Sequence, residues 1–219
     1  MTTIFKKTKK QKEAIKLLSG KARHIMLYGG SRSGKTFILL YAVLVRACKE
    51  KSHHVILRSK FNHVKTSVFM DTLPKLMQLC FPKMPYDPVK SDHYLPLPNG
   101  SEIWFAGLDD SQRVEKILGK EYSTIYFNEC SQIEYKSIQI ALTRLAEKNS
   151  LAKKVYYDEN PPTKSHWSYW QFIEKLNPEE NIPLKNPDQY ASMLMNPKDN
   201  LINIDDDYIA MLEELLYIS

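Results

Sequence analysis

The strongest indication of the fold comes from residues 24–48, which read HIMLYGGSRSGKTFILLYAVLVRAC. His24–Tyr28 is a short apolar run that predicts a buried strand. Thr36–Cys48 is apolar on nearly all sides and long enough to be a buried helix. Between them, Gly29–Thr36 fits the pattern G-x-x-x-x-G-K-[ST] without a mismatch. A strand, this loop and a helix in direct succession predict a phosphate-binding loop.

The chemistry of a bound polyphosphate explains this spacing. Glycines let the backbone wrap a phosphate with its N–H groups pointing inward, and the following helix directs its positive end at the same group. Lys35 is predicted to reach the β- and γ-phosphates of ATP, and the Thr36 hydroxyl to ligate Mg²⁺. The predicted nucleotide-binding residues of the loop are Gly29, Gly30, Ser31, Arg32, Ser33, Gly34, Lys35 and Thr36.

Strands and helices alternate along the rest of the chain. Predicted strands lie at His24–Tyr28, His54–Arg58, Tyr94–Pro98, Ser101–Phe105, Ser123–Phe127 and Lys154–Tyr157. Predicted helices lie at Gln11–Leu18, Thr36–Cys48, Asn62–Leu79, Tyr135–Lys148, His166–Leu176 and Asp206–Leu216. Asn99-Gly100 indicates a hairpin. The alternation predicts an α/β fold, a mostly parallel central sheet with helices on both faces. Residues 177–200 are rich in Pro and Asn and indicate an irregular excursion or a linker.

Length and composition set limits on the class of protein. The chain has 219 residues, 43% of them apolar and 26% charged, which is typical of one globular domain. Its net charge is 31 − 25 = +6, which favours an anionic partner such as nucleic acid or nucleotide. No apolar run is long enough for a membrane span. Three widely spaced cysteines favour neither a zinc site nor a disulfide framework.

Polar residues stand at the ends of two later strands. Glu129 follows the run STIYFN and is predicted to be the general base that activates or orients the attacking water. Asn128 stands where an acidic residue is expected, yet its amide oxygen can still accept from a metal-bound water. The predicted metal site is therefore Thr36, Asn128 and Glu129. Asn160, shortly after the predicted strand Lys154–Tyr157, is predicted to sense the γ-phosphate.

Six segments, in this order and spacing, resemble the ATPase domain of the large terminase subunit of tailed bacteriophages. They are GGSRSGKT, ILRSKFNHVKTSVF, LPNGSEIWFAGLDD, STIYFNECSQI, ENPPTKSHWSYWQF and MNPKDNLINIDDDYIAMLEEL. The resemblance implies a P-loop NTPase of the RecA-like additional-strand type, formed by residues 1–219. Residues 177–219 are expected to be an irregular subdomain ending at a linker, and the family's nuclease domain is expected to be absent.

The resemblance also implies function, partners and residue roles. The expected activity is hydrolysis of ATP with Mg²⁺ to translocate double-stranded DNA into a procapsid, in the host cytoplasm. The expected partners are the portal protein, the small terminase subunit and further copies in a ring, with a monomer in isolation. Gln11 matches an adenine-reading glutamine, Arg32 is a catalytic arginine of the loop, and Asn160 is the coupling residue. The arginine supplied to the neighbouring subunit is expected to be Arg113, with Arg144 as second choice.

Three other classes of function remain open from the residues alone. A helicase-like, DNA-stimulated ATPase shares the phosphate loop but normally needs a second RecA-like domain. A nucleotide kinase needs an arginine-rich lid, and no arginine follows Pro178. A non-catalytic ATP-binding module is favoured by the amide at Asn128.

Overall fold

The computed structural model describes residues 5–109, 118–204, 207, 208, 210, 211 and 214. These residues include a sheet of seven strands in the order β3-β4-β2-β5-β6-β1-β7. The strands are β1 (His24–Tyr28), β2 (His53–Arg58), β3 (Tyr94–Pro96), β4 (Glu102–Gly107), β5 (Thr124–Phe127), β6 (Lys154–Glu159) and β7 (Tyr190–Leu194). β3 pairs with β4 in the antiparallel sense, and the other five pairings are parallel.

The helices of the described residues vary widely in length. They are α1 (Lys9–Leu18), α2 (Lys35–Lys49), α3 (Phe61–Val64), α4 (Leu73–Cys80), α5 (Tyr135–Leu142) and α6 (Trp167–Tyr169). A π-helix, Lys65–Thr72, joins α3 to α4, and a second one, Trp170–Glu174, follows α6. The first π-helix ends beside Pro74, whose missing N–H prevents the ladder from continuing unchanged.

Helices cover both faces of the sheet because successive strand residues point to opposite sides. On one face, Tyr126 and Tyr156 pack in a buried core with residues of α1, α2 and α4. On the other face, Phe127 and Tyr157 pack with residues of α5 and with Trp167 of α6. The predicted α/β architecture, mostly parallel with helices on both faces, is confirmed.

The hairpin predicted at Asn99-Gly100 is confirmed by the antiparallel pairing of β3 with β4. The helix predicted over Tyr135–Lys148 is too long, because α5 ends at Leu142. Beyond that residue the chain returns to the sheet: the N–H of Tyr122 donates to the Arg144 carbonyl. The predicted helix Asp206–Leu216 lies largely outside the described residues.

The prediction for residues 177–200 differs most from the structure. This stretch contains β7, which lies parallel to β1 and extends the sheet by one strand. Its side chains are mostly half-buried, because β7 is an edge strand, and the Pro and Asn residues on either side of the short run YASML obscure it in the sequence. The segment is therefore part of the sheet next to the phosphate loop.

Parallel pairing brings the carboxyl ends of β1, β6, β5 and β2 to the same edge of the sheet. In an open α/β sheet, ligands bind at this edge. Gly29, Asp158, Asn128 and Arg58 lie there side by side, at the end of one strand each or just beyond it.

Candidate nucleotide-binding site

The loop from Gly29 to Thr36 connects β1 to α2 as its sequence predicts. Gly34 precedes the first residue of α2 in a left-handed conformation, with φ 83°. Gly29 has φ 136°, and a Cβ at this position would lie 2.0 Å from the Met195 carbonyl oxygen. Gly29 is therefore required both by its own backbone and by the chain that follows β7.

Lys35 is buried at the start of α2 and points back into the loop. Its ammonium donates to the carbonyls of Gly29 (2.7 Å) and Gly30 (2.9 Å) and to Ser33 Oγ (3.2 Å). Burial lowers the pKa of Lys35, and the carboxylates of Asp158 and Glu129 oppose this shift. A charged ammonium held among carbonyls is placed to exchange these partners for phosphate oxygens.

Asp158, at the end of β6, is the centre of the hydrogen-bond network. It is fully buried, and its Oδ2 accepts from Thr36 Oγ1 at 2.7 Å and from the Tyr126 hydroxyl at 2.9 Å. Its Oδ1 accepts from Asn128 Nδ2 at 3.0 Å and from the backbone N–H of Glu129 at 2.7 Å. One carboxylate thus joins the phosphate loop to the end of β5.

Asn128 is buried beside this carboxylate, on the first residue after β5. Its amide nitrogen donates to Asp158, and its amide oxygen accepts from Arg58 Nη1 at 3.3 Å. Its backbone N–H donates to the Leu57 carbonyl, which fixes the chain against β2. The amide therefore bridges a carboxylate and a guanidinium, a role for which an amide has both the donor and the acceptor.

Glu129 has a left-handed backbone, with φ 51°, at the sharp turn that follows β5. Such a conformation is uncommon for a non-glycine residue and clusters at functional sites. Burial raises the pKa of its carboxyl, Asp158 raises it further, and Arg58 and Lys35 lower it. A half-buried carboxylate with a raised pKa is suited to accept a proton near neutral pH.

A cavity of about 560 Å³ opens over the loop. Its lining includes nine of the residues predicted from sequence: Gln11, Ser31, Arg32, Ser33, Gly34, Lys35, Thr36, Glu129 and Asn160. Asn160 is exposed at its rim. A volume of this size suits a nucleotide, since small-molecule sites occupy about 300–1,000 Å³.

Gln11 is buried, and its amide already has partners. Its Oε1 accepts from the Thr8 N–H at 3.0 Å as part of the cap of α1, and its Nε2 donates to Asn200 Oδ1 at 3.3 Å. Asn200 also donates to the Arg32 carbonyl at 2.8 Å. The segment after β7 thereby holds α1 and the tip of the phosphate loop together.

The predicted arginines lie in different parts of the molecule. Arg32 is exposed at the tip of the loop, in a left-handed conformation, with its guanidinium 4.7 Å from the centre of the Tyr208 ring. Arg113 lies outside the described residues. Arg144 is exposed near the amino end of β5, at the opposite edge of the sheet from the loop.

Sequence reasoning missed four residues of the site: Asp158, Arg58, Tyr126 and Asn200. Asp158 had a usable signal, because it stands beside Asn128 when β5 and β6 are aligned, and both follow apolar strand residues. Arg58, Tyr126 and Asn200 had no recognisable signal in the sequence, because their contacts join segments that are distant in the chain.

The donor set fits Mg²⁺ held together with a nucleotide. In the described part of the chain, no cluster of three His, Cys, Asp or Glu residues could hold a metal by itself. Mg²⁺ is commonly bound by one or two protein oxygens plus phosphates and water. The Thr36 hydroxyl, with the Asp158 carboxylate behind it, supplies oxygens of that kind.

The strand order and the site together define a class. A phosphate loop after β1, a glutamate after β5 and an intervening strand, β6, between them are the features of a P-loop NTPase of the RecA-like additional-strand type. The model of the phage terminase large subunit family matches residues 21–216, and the chain belongs to that family.

Individual relatives agree with this assignment. The PBSX phage terminase large subunit of Bacillus subtilis (strain 168) is 26% identical over 147 residues, which cover 67% of this chain and 33% of that protein. The large terminase of a thermophilic bacteriophage superposes with a TM-score of 0.72 at 17% identity, covering 93% of this chain and 48% of that one. The structure of the same protein in complex with ATP-γ-S superposes with a TM-score of 0.71 at 16% identity, covering 94% of this chain and 48% of that one.

The chain corresponds to one part of these larger proteins. It spans about half the length of the thermophilic phage terminase and a third of the Bacillus relative. The large terminase ATPase domain of Thermus phage P74-26 is covered over 91% of its length, with a TM-score of 0.60 at 13% identity. At such identities the superpositions establish the fold, and the family model establishes membership. No helix among the described residues has the length and apolarity to cross a membrane.

Proposed function

We propose that this chain hydrolyses ATP and that hydrolysis drives translocation of double-stranded DNA into a phage procapsid. The observation that carries the ATPase proposal is the convergence of Lys35, Thr36 and Glu129 on one cavity. Segments separated in sequence bring an ammonium, a hydroxyl and a half-buried carboxylate to one cavity of nucleotide size. The DNA-packaging part rests on family membership.

Each residue has a separate task in the proposed reaction. Lys35 binds the β- and γ-phosphates, and Thr36 holds Mg²⁺, which neutralises charge on the phosphates. Glu129 accepts the proton of the attacking water or orients it. Asn160, at the cavity rim, contacts the γ-phosphate side of the nucleotide. Gln11 reads the adenine edge, for which its amide must leave Thr8 or Asn200.

The transition state of phosphoryl transfer also needs positive charge that Lys35 alone does not supply. Arg32, at the loop tip, is the proposed source within the chain. In a ring of subunits, Arg113 of the neighbouring copy is the proposed second source, with Arg144 as the alternative. The portal protein, the small terminase subunit and the ring itself are the proposed partners, and the host cytoplasm is the proposed location.

Charge gives limited support to DNA binding. The net charge of +6 is compatible with a sequence-independent grip on phosphates, and a ring would multiply a weak contact by multivalency. Family membership favours the packaging motor over a helicase or a nucleotide kinase.

The test is phosphate release by purified Lys35→Ala protein against wild type. Removing the ammonium takes away the charge on the β- and γ-phosphates, so steady-state hydrolysis should fall to background. Lys49→Ala is the matched control, because Lys49 is an exposed lysine at the other end of the same helix. Unchanged phosphate release by folded Lys35→Ala protein would refute the ATPase proposal.

A further inference from the structure

The carboxylate that contacts the phosphate-loop threonine, Thr36, comes from β6 and not from β5. In P-loop NTPases, Mg²⁺ is held by the loop Ser or Thr and by an acidic residue after another strand. The residue before Glu129 is an amide, Asn128, so the end of β5 lacks that acid. The buried acid next to the Thr36 hydroxyl is instead Asp158, at the end of β6.

The contact with Thr36 is the first argument. Thr36 Oγ1 donates its proton to Asp158 Oδ2 at 2.7 Å, so the hydroxyl oxygen can offer a lone pair to a metal in the cavity that Thr36 lines. A charge-assisted hydrogen bond of this kind orients a metal ligand and increases its negative character. The Asn128 amide is engaged elsewhere, because its nitrogen donates to Asp158 and its oxygen accepts from Arg58.

The charge of Asp158 also accounts for the amide at position 128. Asn128 Nδ2 lies 3.0 Å from Asp158 Oδ1, and Glu129 follows it directly. A carboxylate at position 128 would place two like charges in a buried site at that distance, with a third beside them. An amide converts this repulsion into a hydrogen bond and offers its oxygen to Arg58.

The register of the sheet places residues 128 and 158 at the same level, on neighbouring strands. Phe127 of β5 and Tyr157 of β6 are paired across parallel strands, so the residues that follow them lie side by side at the same edge. Exchanging acid and amide between neighbouring positions keeps one negative charge at nearly the same place. The second carboxylate oxygen of Asp158 also holds the Glu129 N–H, which links the metal side of the site to the general base.

We propose that Asp158 is the positioning carboxylate of the Mg²⁺ site, acting through the Thr36 hydroxyl, and that Asn128 is the neutral partner of this carboxylate. The inference rests on the proposed binding of ATP. The acidic residue of the Mg²⁺ site is then at the end of β6, which lies between β5 and β1 in the sheet, and not at the end of β5.

The experiment measures binding of a fluorescent ATP analogue in EDTA and across a Mg²⁺ titration, with Asp158→Asn as the variant. Asparagine can keep one acceptor but removes the charge. We expect binding in EDTA within about two-fold of wild type, and a Mg²⁺ midpoint raised about ten-fold or more, as for other residues behind metal ligands. Glu121→Gln, which alters an exposed carboxylate, is the control and should leave both quantities unchanged.

The exchange variant Asn128→Asp/Asp158→Asn distinguishes a metal role from packing. It returns one carboxylate and one amide to the same pair of positions, so the Mg²⁺ midpoint should recover most of its loss. An unchanged midpoint in Asp158→Asn, or an exchange variant no better than Asp158→Asn, overturns the inference. Wild-type protein that binds no nucleotide even with Mg²⁺ would instead refute the proposed function, which is a different result.

Discussion

Glu159, the last residue of β6, is a fully buried carboxyl group outside the proposed reaction. Its Oε1 accepts from Ser168 Oγ at 2.6 Å, and its Oε2 accepts from Cys130 Sγ at 3.3 Å. Burial raises its pKa from 4.5 to about 7, and the two hydrogen bonds offset part of that increase. We predict that this carboxyl makes the stability of the protein depend on pH.

The magnitude follows from the difference between the two pKa values. Between pH 4.5 and 7, the folded protein keeps a proton on Glu159 that the unfolded chain has lost. The folded state binds more protons in this window, so its stability decreases as pH rises, by at most about 1.4 kcal/mol per pH unit. The total loss in the free energy of unfolding is about 3 kcal/mol, and it is complete once the pH is above the pKa of Glu159 in the folded protein. Glu159→Gln removes this titration and keeps an oxygen acceptor for Ser168.

The assay is urea unfolding of wild type and Glu159→Gln at a series of pH values from below 5 to about 8. The free energy of unfolding of the variant minus that of wild type should increase by about 3 kcal/mol across the series. Glu121→Gln, at an exposed carboxylate, should give a difference that does not vary with pH. If the free energy of unfolding changed with pH in the same way for wild type and Glu159→Gln, burial would not be holding the proton on Glu159.

Three further predictions concern the site, the fold and the partner. Glu129→Gln should still bind the fluorescent ATP analogue but lower turnover by about 10²-fold or more, measured as phosphate release; loss of binding as well would indicate a structural role. Gly29→Ala should destabilise the protein by at least about 3 kcal/mol in urea, because its Cβ would meet the Met195 carbonyl, whereas Gly100→Ala, beside a flexible side chain, should cost about 1–2 kcal/mol. Binding to two unrelated DNA duplexes, measured by fluorescence anisotropy, should be weak, equal and steeply salt-dependent; a strong preference for one duplex would contradict a translocating motor.

The position of the phosphate loop could be predicted from sequence because all its determinants are local. An apolar strand, a glycine-containing loop and an apolar helix are adjacent in the chain, and the spacing of the glycines, Lys35 and Thr36 follows from phosphate geometry. The position of Glu129 beside the phosphate loop was predictable for a related reason, since Glu129 is the second residue after a short apolar strand. The structure places Lys35, Thr36 and Glu129 around one cavity.

Predictions failed where the sequence pattern was short or continued past the end of an element, and where the contact was distant. β7 was interpreted as an excursion because an edge strand is exposed on one side and needs no continuous apolar run. The end of α5 was placed six residues too late, at Lys148, because amphipathic spacing continues past Leu142, where the chain turns back to the sheet. Arg58 and Asn200 showed no signal, because their importance depends on which segments they meet.

The class of fold and the chemistry of the phosphate loop follow from the sequence alone, because strand and helix periodicity and the loop motif act over neighbouring residues. The position of the buried acid beside Thr36 depends instead on how the strands pair. Residues 128 and 158 are thirty positions apart in the chain, and parallel pairing of β5 with β6 makes them neighbours. The amide at one position and the carboxylate at the other then form one hydrogen-bonded pair, because two buried carboxylates at that distance would repel each other.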